Sequence, residues 1–361
     1  MATGTQKELR FQHNGLRDFM AAVFERLEVA PADAQVAAEA LIEADLMGID
    51  SHGIAQLATR SMLYIDALQK GISNPGARPT VVTESPALAV IDGQGAMGQV
   101  AAHMAQELAM SKAQETGVGA VTVRNSHHFG AAGVWALRAA NAGMIGVVTQ
   151  HGGRLVIAAG GRERAFGSNP IAVAIPSEPH PFLMDFATSA VSLGKLQIAE
   201  MQGRSIPEGW AVDADGQATT DPRIFQFGGA LVPLGSSPEM SWHKGHALAM
   251  LIEILGAVLS GGTTGLDSDF RALDHCHFHL ALRIDGFRPL PEFVAHLAGY
   301  QDRLRHTKAI DPARPVASPG DFEFAARAER LERGVPLHPT VVEGLQRLAA
   351  EYQVPFPAPV Q

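Results

Sequence analysis

Apolar residues at Leu9, Leu16, Phe19, Val23 and Leu27 recur at roughly helical spacing and predict a helix over 7–28. Pro31 opens a second helix through Val36, Ala40, Leu41, Ala44 and Met47, which Gly48 ends. After the turn GIDSHGI, a third helix is expected from Ile54 to Gln69, closed by Gly71. From Pro79 the texture changes to short strands alternating with helices: strands at 80–84, 87–92, 118–123 and 144–150, helices over 100–116 and 131–142. Strands Ile171–Ile175 and Phe182–Phe186 flank a turn through Pro176, Pro179 and Pro181, and a helix is expected to open at Thr188 and Ser189 and end near Gly203. Residues 206–222 read as an extended loop or small hairpin, 247–259 as an apolar helix and 274–279 as a strand. Helices over 295–306, 322–333 and 341–352 follow. The chain ends are thus helical and the middle strand-rich. This predicts an α/β (α+β) fold in which a discontinuous helical domain, 1–78 with 290–361, embraces a central sheet domain over 79–289.

Composition narrows the class. At 361 residues, 46% hydrophobic and 18% charged, the chain can bury a substantial core. It contains no apolar run of about 18 residues, and its polar N-terminus is unlike a signal peptide. A cytoplasmic protein with no membrane partner is expected. The single cysteine, Cys276, excludes an internal disulfide framework. A net charge of −9 without a long basic run argues against a nucleic-acid partner.

Several stretches carry candidate chemistry. Asp185 ends an apolar strand just before an expected helix N-terminus, where it is either a functional carboxylate or an N-cap. Ser51 and His52 share a helix–helix junction, where serine suits a cap and a lone histidine is structural or catalytic. Gly93, Gly95 and Gly98 spell the dinucleotide fingerprint in form, but the next strand ends in Arg124 and Asn125, where a ribose-binding acid is needed. Ser126, His127 and His128 follow that strand as ligand-contacting or ordinary loop residues. His275, His277 and His279 fall on one face of a strand, suiting either a metal or a half-buried surface. Lys244, beside Trp242 and His243, opens a helix and suits a phosphate or carboxylate.

Taken in order, SHG (51–53), NSxHFGAAG (125–133), GSNPIA (167–172), MDFATS (184–189) with GK (194–195), PEGWAxDxxGxxTTDP (207–222), PLG and KGHALA (233–249), LSGG (259–262) and PGDFE (319–323) resemble the type-2 malate/L-lactate dehydrogenase family. The resemblance spans nearly the whole chain. It implies a non-Rossmann cofactor domain on a mixed, largely antiparallel sheet. It also implies NAD or NADP as cofactor, a homodimer or higher oligomer, and a small 2-oxo or 2-hydroxy acid, or a related cyclic imino acid, as substrate. Carried onto this chain, it makes His52 the general acid/base with Ser51 and Asp185 as orienting partners. Cofactor contacts would come from His128, from Met184, Asp185, Phe186, Ala187, Thr188 and Ser189, from Trp242, His243, Lys244 and Gly245, and from Gly320 and Asp321. His128 is also a candidate for substrate binding.

Departures from the family pattern bear on the substrate. Gln56 stands where relatives carry an arginine that grips the substrate carboxylate. The segment from His52 to Gly71 is longer than in relatives, so Arg60 is a second candidate for that grip. Two competing functions are a metal-assisted hydrolase built on the histidine clusters and a cofactor-binding relative without activity.

Overall fold

The computed structural model describes residues 8–58, 63–268 and 274–360. Strand β1 (Leu9–Phe11) precedes α1 (His13–Arg26) and α2 (Pro31–Leu46). Leu9 therefore belongs to a strand and not to the helix its spacing suggested; β1 pairs antiparallel with β14 (Val335–Leu337), a partner invisible to local periodicity. A 3₁₀ turn, Asp50–His52, leads to two short helices, α3 (Ala55–Ala58) and α4 (Ile65–Gln69), in place of one continuous helix. Then come β2 (Thr80–Glu84), β3 (Leu88–Asp92), α5 (Gly98–Thr116), β4 (Val118–Ser126), α6 (Ala132–Asn141) and β5 (Met144–His151), close to the expected bounds. Short strands β6 (Val156–Ile157) and β7 (Arg164–Phe166) precede β8 (Pro170–Ile175) and β9 (Phe182–Ala187).

The helix expected at Thr188 starts later, as α7 (Leu193–Met201). Thr188 and Ser189 continue extended backbone: Thr188 N–H donates to the Ser168 carbonyl (2.9 Å), and Ser189 bridges Pro233. Strands β10 (Ala211–Val212) and β11 (Ala218–Thr219) form the small hairpin, followed by β12 (Ala230–Leu231). Helix α8 (His243–Glu253) runs into a π turn, Ile254–Val258, whose carbonyls at Leu255 and Gly256 accept from Thr122 Oγ1 at 3.0 Å. Strand β13 (His275–Arg283) and helices α9 (Leu290–Arg305), α10 (Asp321–Arg333) and α11 (Pro339–Tyr352) complete the described chain.

Among the described residues, seven strands form the main sheet in the order β2-β3-β4-β13-β5-β8-β9, and only β3 and β4 run parallel. The fold is mixed α/β and largely antiparallel, as expected. A smaller sheet takes the order β11-β10-β12-β6-β7. Because β13 lies between β4 and β5, its histidines are buried: His277 Nε2 lies 3.0 Å from the His127 carbonyl and His279 Nδ1 3.1 Å from Gln106 Oε1. One hydrophobic core joins Leu16, Phe19 and Phe24 of α1 to Leu41 of α2 and Leu345 of α11, so both ends of the chain share a core.

The fingerprint glycines serve the chain itself. Gly93 and Gly95 N–H groups donate to the Arg124 and Asn125 carbonyls (2.8 and 2.9 Å). A Cβ on Gly98 would stand 2.1 Å from the His127 carbonyl oxygen. The amides a pyrophosphate would need are engaged in holding the 124–128 segment.

Candidate active site

The Ser51–His52 turn is clamped from beneath. Asp45, buried near the end of α2, accepts from Ile54 N–H (2.8 Å), and burial holds its carboxyl well above the usual range. A Cβ on Gly53 would fall 1.8 Å from Asp45 Oδ1, so only glycine lets the turn approach this carboxylate. From α10, Arg330 donates to the Asp45 carbonyl and to the Asp50 carboxylate. The N-terminal and C-terminal parts of the chain thus fix this turn together.

Ser51 Oγ lies 2.8 Å from His52 Nδ1. The other ring nitrogen, Nε2, has no hydrogen-bond partner among the described residues. The His52 ring stacks on His128 with centroids 5.4 Å apart and planes 25° apart. Desolvation pushes the His52 pKa down to about 4, so the imidazole is neutral near pH 7.

His128 is oriented from behind. Its Nδ1 is 2.8 Å from the Tyr64 hydroxyl and accepts from Gly130 N–H (3.3 Å). Since that amide can only donate, Nδ1 is the acceptor and Nε2 carries the proton. Burial, then the neighbouring His52 and His275, holds the His128 pKa well below the ordinary value. The His275 ring meets His128 edge-on at 6.2 Å, and a Cβ on Gly152 would strike His275 Cδ2 at 1.7 Å. Tyr64, fully buried within the span read as one helix, escaped sequence reasoning. Its one signal was scarcity, since the chain has three tyrosines.

Asp185 sits in β9 opposite Ala172, and the helix N-terminus it meets is that of α6, not of α7. Its Oδ2 accepts from Gly133 N–H at 2.7 Å, and a Cβ on Gly133 would lie 2.8 Å from that oxygen. Desolvation raises the Asp185 pKa to about 6; the Gly133 bond opposes this and Glu323 adds to it. The carboxylate is thus held as a cap, on α6, while standing half-buried on the same sheet as β5 and β8.

The remaining candidates lie along β9 and α8. Phe186 is exposed, while Thr188 is buried and its Oγ1 donates to the Asn169 carbonyl (3.0 Å). Asn169 Nδ2 in turn donates to the Ala249 carbonyl (3.1 Å) and Glu253 Oε1 (3.0 Å), tying the GSNP segment to α8. His243 and Lys244 occupy the first turn of α8, which has no acidic residue there and no side-chain cap. The Lys244 ammonium at the positive end of a helix dipole suits an anion such as a cofactor phosphate. Gly245 packs against Leu234, where a Cβ would be 2.4 Å from backbone nitrogen. Gly320 adopts φ 102° beneath Leu183, and the Asp321 carboxylate is held by Arg305 (2.9 and 2.6 Å) and His180 (3.1 Å).

Gln56 turns its amide onto the Ser51 carbonyl, and Arg60 lies outside the described residues. Among the described residues, no three His, Cys, Asp or Glu side chains converge with metal-ligand spacing. None of the described helices is long and apolar enough to cross a membrane.

The malate/L-lactate dehydrogenase family profile matches residues 11–346. A malate dehydrogenase of Pyrococcus abyssi is 37% identical over 345 residues, covering 94% of each chain. An L-sulfolactate dehydrogenase of Methanocaldococcus jannaschii is 40% identical over 316 residues, covering 86% of this chain and 88% of the relative. The crystal structure of malate dehydrogenase from Entamoeba histolytica superposes with a TM-score of 0.93 at 30% identity, covering 98% of this chain and all of that one. With the ordered motifs, the non-Rossmann sheet and relatives that are dehydrogenases at this coverage, the chain is a member of the malate/L-lactate dehydrogenase family.

Proposed function

We propose that the protein is an NAD(P)-dependent oxidoreductase of a small 2-hydroxy or 2-oxo acid, with His52 as its general acid/base. The observation that carries this reading is the Ser51–His52 pair, with Nδ1 engaged at 2.8 Å and the ring stacked on His128. The nicotinamide, when bound, accepts hydride from substrate C2 or returns it there. In the oxidative direction, His52 Nε2 takes the C2 hydroxyl proton as the C–H bond breaks and the carbonyl forms. The Ser51 hydroxyl keeps the imidazole in one tautomer, and His128 offers its Nε2–H to a substrate oxygen. Asp185, whose carboxyl pKa is raised to about 6 by burial, is assigned as the second orienting partner of His52 on β9. Lys244 and His243 at the start of α8 would hold a cofactor phosphate, and the Met184–Ser189 segment and Gly320 would line its path.

Other expectations join this proposal. The relatives' names favour malate or sulfolactate type acids, with the carboxylate grip assigned to Arg60 in place of Gln56. Met250, Ile254 and Val258 are 51%, 42% and 58% exposed at intervals along α8 and its π turn, an apolar stripe that favours a homodimer. A cytoplasmic location and the division into a helical unit (1–78 with 290–361) and a sheet unit (79–289) belong to the same reading. The test is absorbance at 340 nm with NADH and with NADPH against oxaloacetate, pyruvate, sulfopyruvate and piperideine-2-carboxylate. Oxidation of one nucleotide by one acid is expected. No oxidation of either, in protein that still binds nucleotide, would defeat the proposal.

A further inference from the structure

A second cavity lies apart from the residues lining the His52 turn. About 930 Å³ opens between α7, the 154–164 segment and the 222–228 turn, with four arginines, Arg154, Arg162, Arg164 and Arg223, in its lining. Leu193, Leu196 and Phe225 give it an apolar floor. Arg164 is half-buried, its Nε donating to the Gly229 carbonyl (2.8 Å) and its guanidinium lying 4.7 Å from the Phe225 ring centroid. Arg223 is paired with Asp221 at 2.8 Å. Arg154 and Arg162 have no hydrogen bond or ion pair among the described residues, although Glu163, Glu200 and Asp215 also reach the lining. Of these acids, Glu200 accepts from Gln226 at 2.7 Å.

Arg154 and Arg162 thus leave two guanidinium groups without a fixed partner, and an anion engages such groups through forked, charge-assisted hydrogen bonds. The volume far exceeds what a single inorganic anion fills, and the apolar floor suits a carbon skeleton. We propose that this cavity binds a multiply charged organic anion, rich in phosphate or carboxylate groups, as an effector of the neighbouring active site. The connection is α7 itself. Leu193, Leu196, Gln197 and Glu200 face the cavity, while Gly194, on another face, packs against the active-site turn: a Cβ there would stand 3.6 Å from Ser51 Cβ. A ligand seated against Leu193 and Leu196 and facing Glu200 loads α7 from the cavity side, which changes the footing of Ser51 and so the setting of His52.

Binding at this cavity is measured first without turnover, independently of the dehydrogenase reading. Citrate and magnesium-free ATP are titrated calorimetrically into protein saturated with NADH or NADPH, so that the nucleotide site is filled. Saturable binding of one probe is expected, and which one binds separates a carboxylate from a phosphate ligand. Arg154→Ala/Arg162→Ala, two exposed residues whose loss breaks no bond, should weaken that binding at least tenfold and leave kcat/KM without the probe unchanged. The probe should shift KM or kcat of the wild type and not of the double variant. No saturable heat with either probe, equal affinity in the variant, or binding without any kinetic effect would each overturn the proposal.

Discussion

Replacing His52 with alanine should lower kcat by about 10²–10⁴-fold while the protein keeps its fold, because a positioned acid/base contributes on that scale. The fold should survive because the clamp on the turn does not pass through the imidazole. It runs from Asp45 to the Ile54 amide and from Arg330 to Asp50, and the side-chain hydrogen bond of His52 is to Ser51. KM should change little, since the lost interaction belongs to proton transfer in the transition state. Steady-state rates beside a circular dichroism melt provide the check. An unchanged melt with unchanged kcat would remove His52 from the chemistry.

Acid should unfold this protein unusually steeply. Burial first of all lowers the pKa values of His52, His103, His128, His151, His277 and His279 below those of an unfolded chain. As pH falls through the ordinary histidine range the unfolded chain takes up these protons before the native one does, so stability is full above about pH 7 and declines below it. His52 reaches its native pKa only at about 4 and His279 at about 3. Asp45 and Asp185, raised in the fold, act in the opposite sense, because the native state binds their protons first. The histidines outnumber them, and each uncompensated proton contributes up to about 1.4 kcal/mol per pH unit. A net loss of several kcal/mol between pH 7 and 5 is expected, a large share of a typical domain's stability of roughly 5–15 kcal/mol. Denaturant melts across that range measure it; a flat profile would mean the buried imidazoles are solvated.

The helices, the strand-rich middle and the motif set were legible because each is a local pattern or an ordered string of short ones. What local patterns missed was decided by distant partners. Leu9 to Phe11 has helical spacing, yet Val335–Leu337 offers it a ladder. Thr188 and Ser189 resemble helix caps, but Ser168 and Pro233 hold them extended, so the helix waits until Leu193. Asp185 was expected beside a helix opening at Thr188, but the helix start it meets is that of α6, which reaches it only through the stacking of a helix on the sheet. Tyr64 gave no motif. Its role depends on meeting His128 across 64 positions of sequence. The arginine cavity was likewise hidden, since the 154–164 segment and Arg223 meet only in the fold.

The most direct test of the proton-transfer claim is the pH dependence of kcat/KM in the reducing direction, for wild type and for His52→Gln. Reduction needs the imidazolium, and with a free-enzyme pKa near 4 its population falls tenfold for each unit of rising pH across the neutral range. Wild-type kcat/KM should fall with that slope, and the residual activity of the variant should lose it. The same slope in both proteins would show that another group delivers the proton, and the assignment of His52 would be wrong.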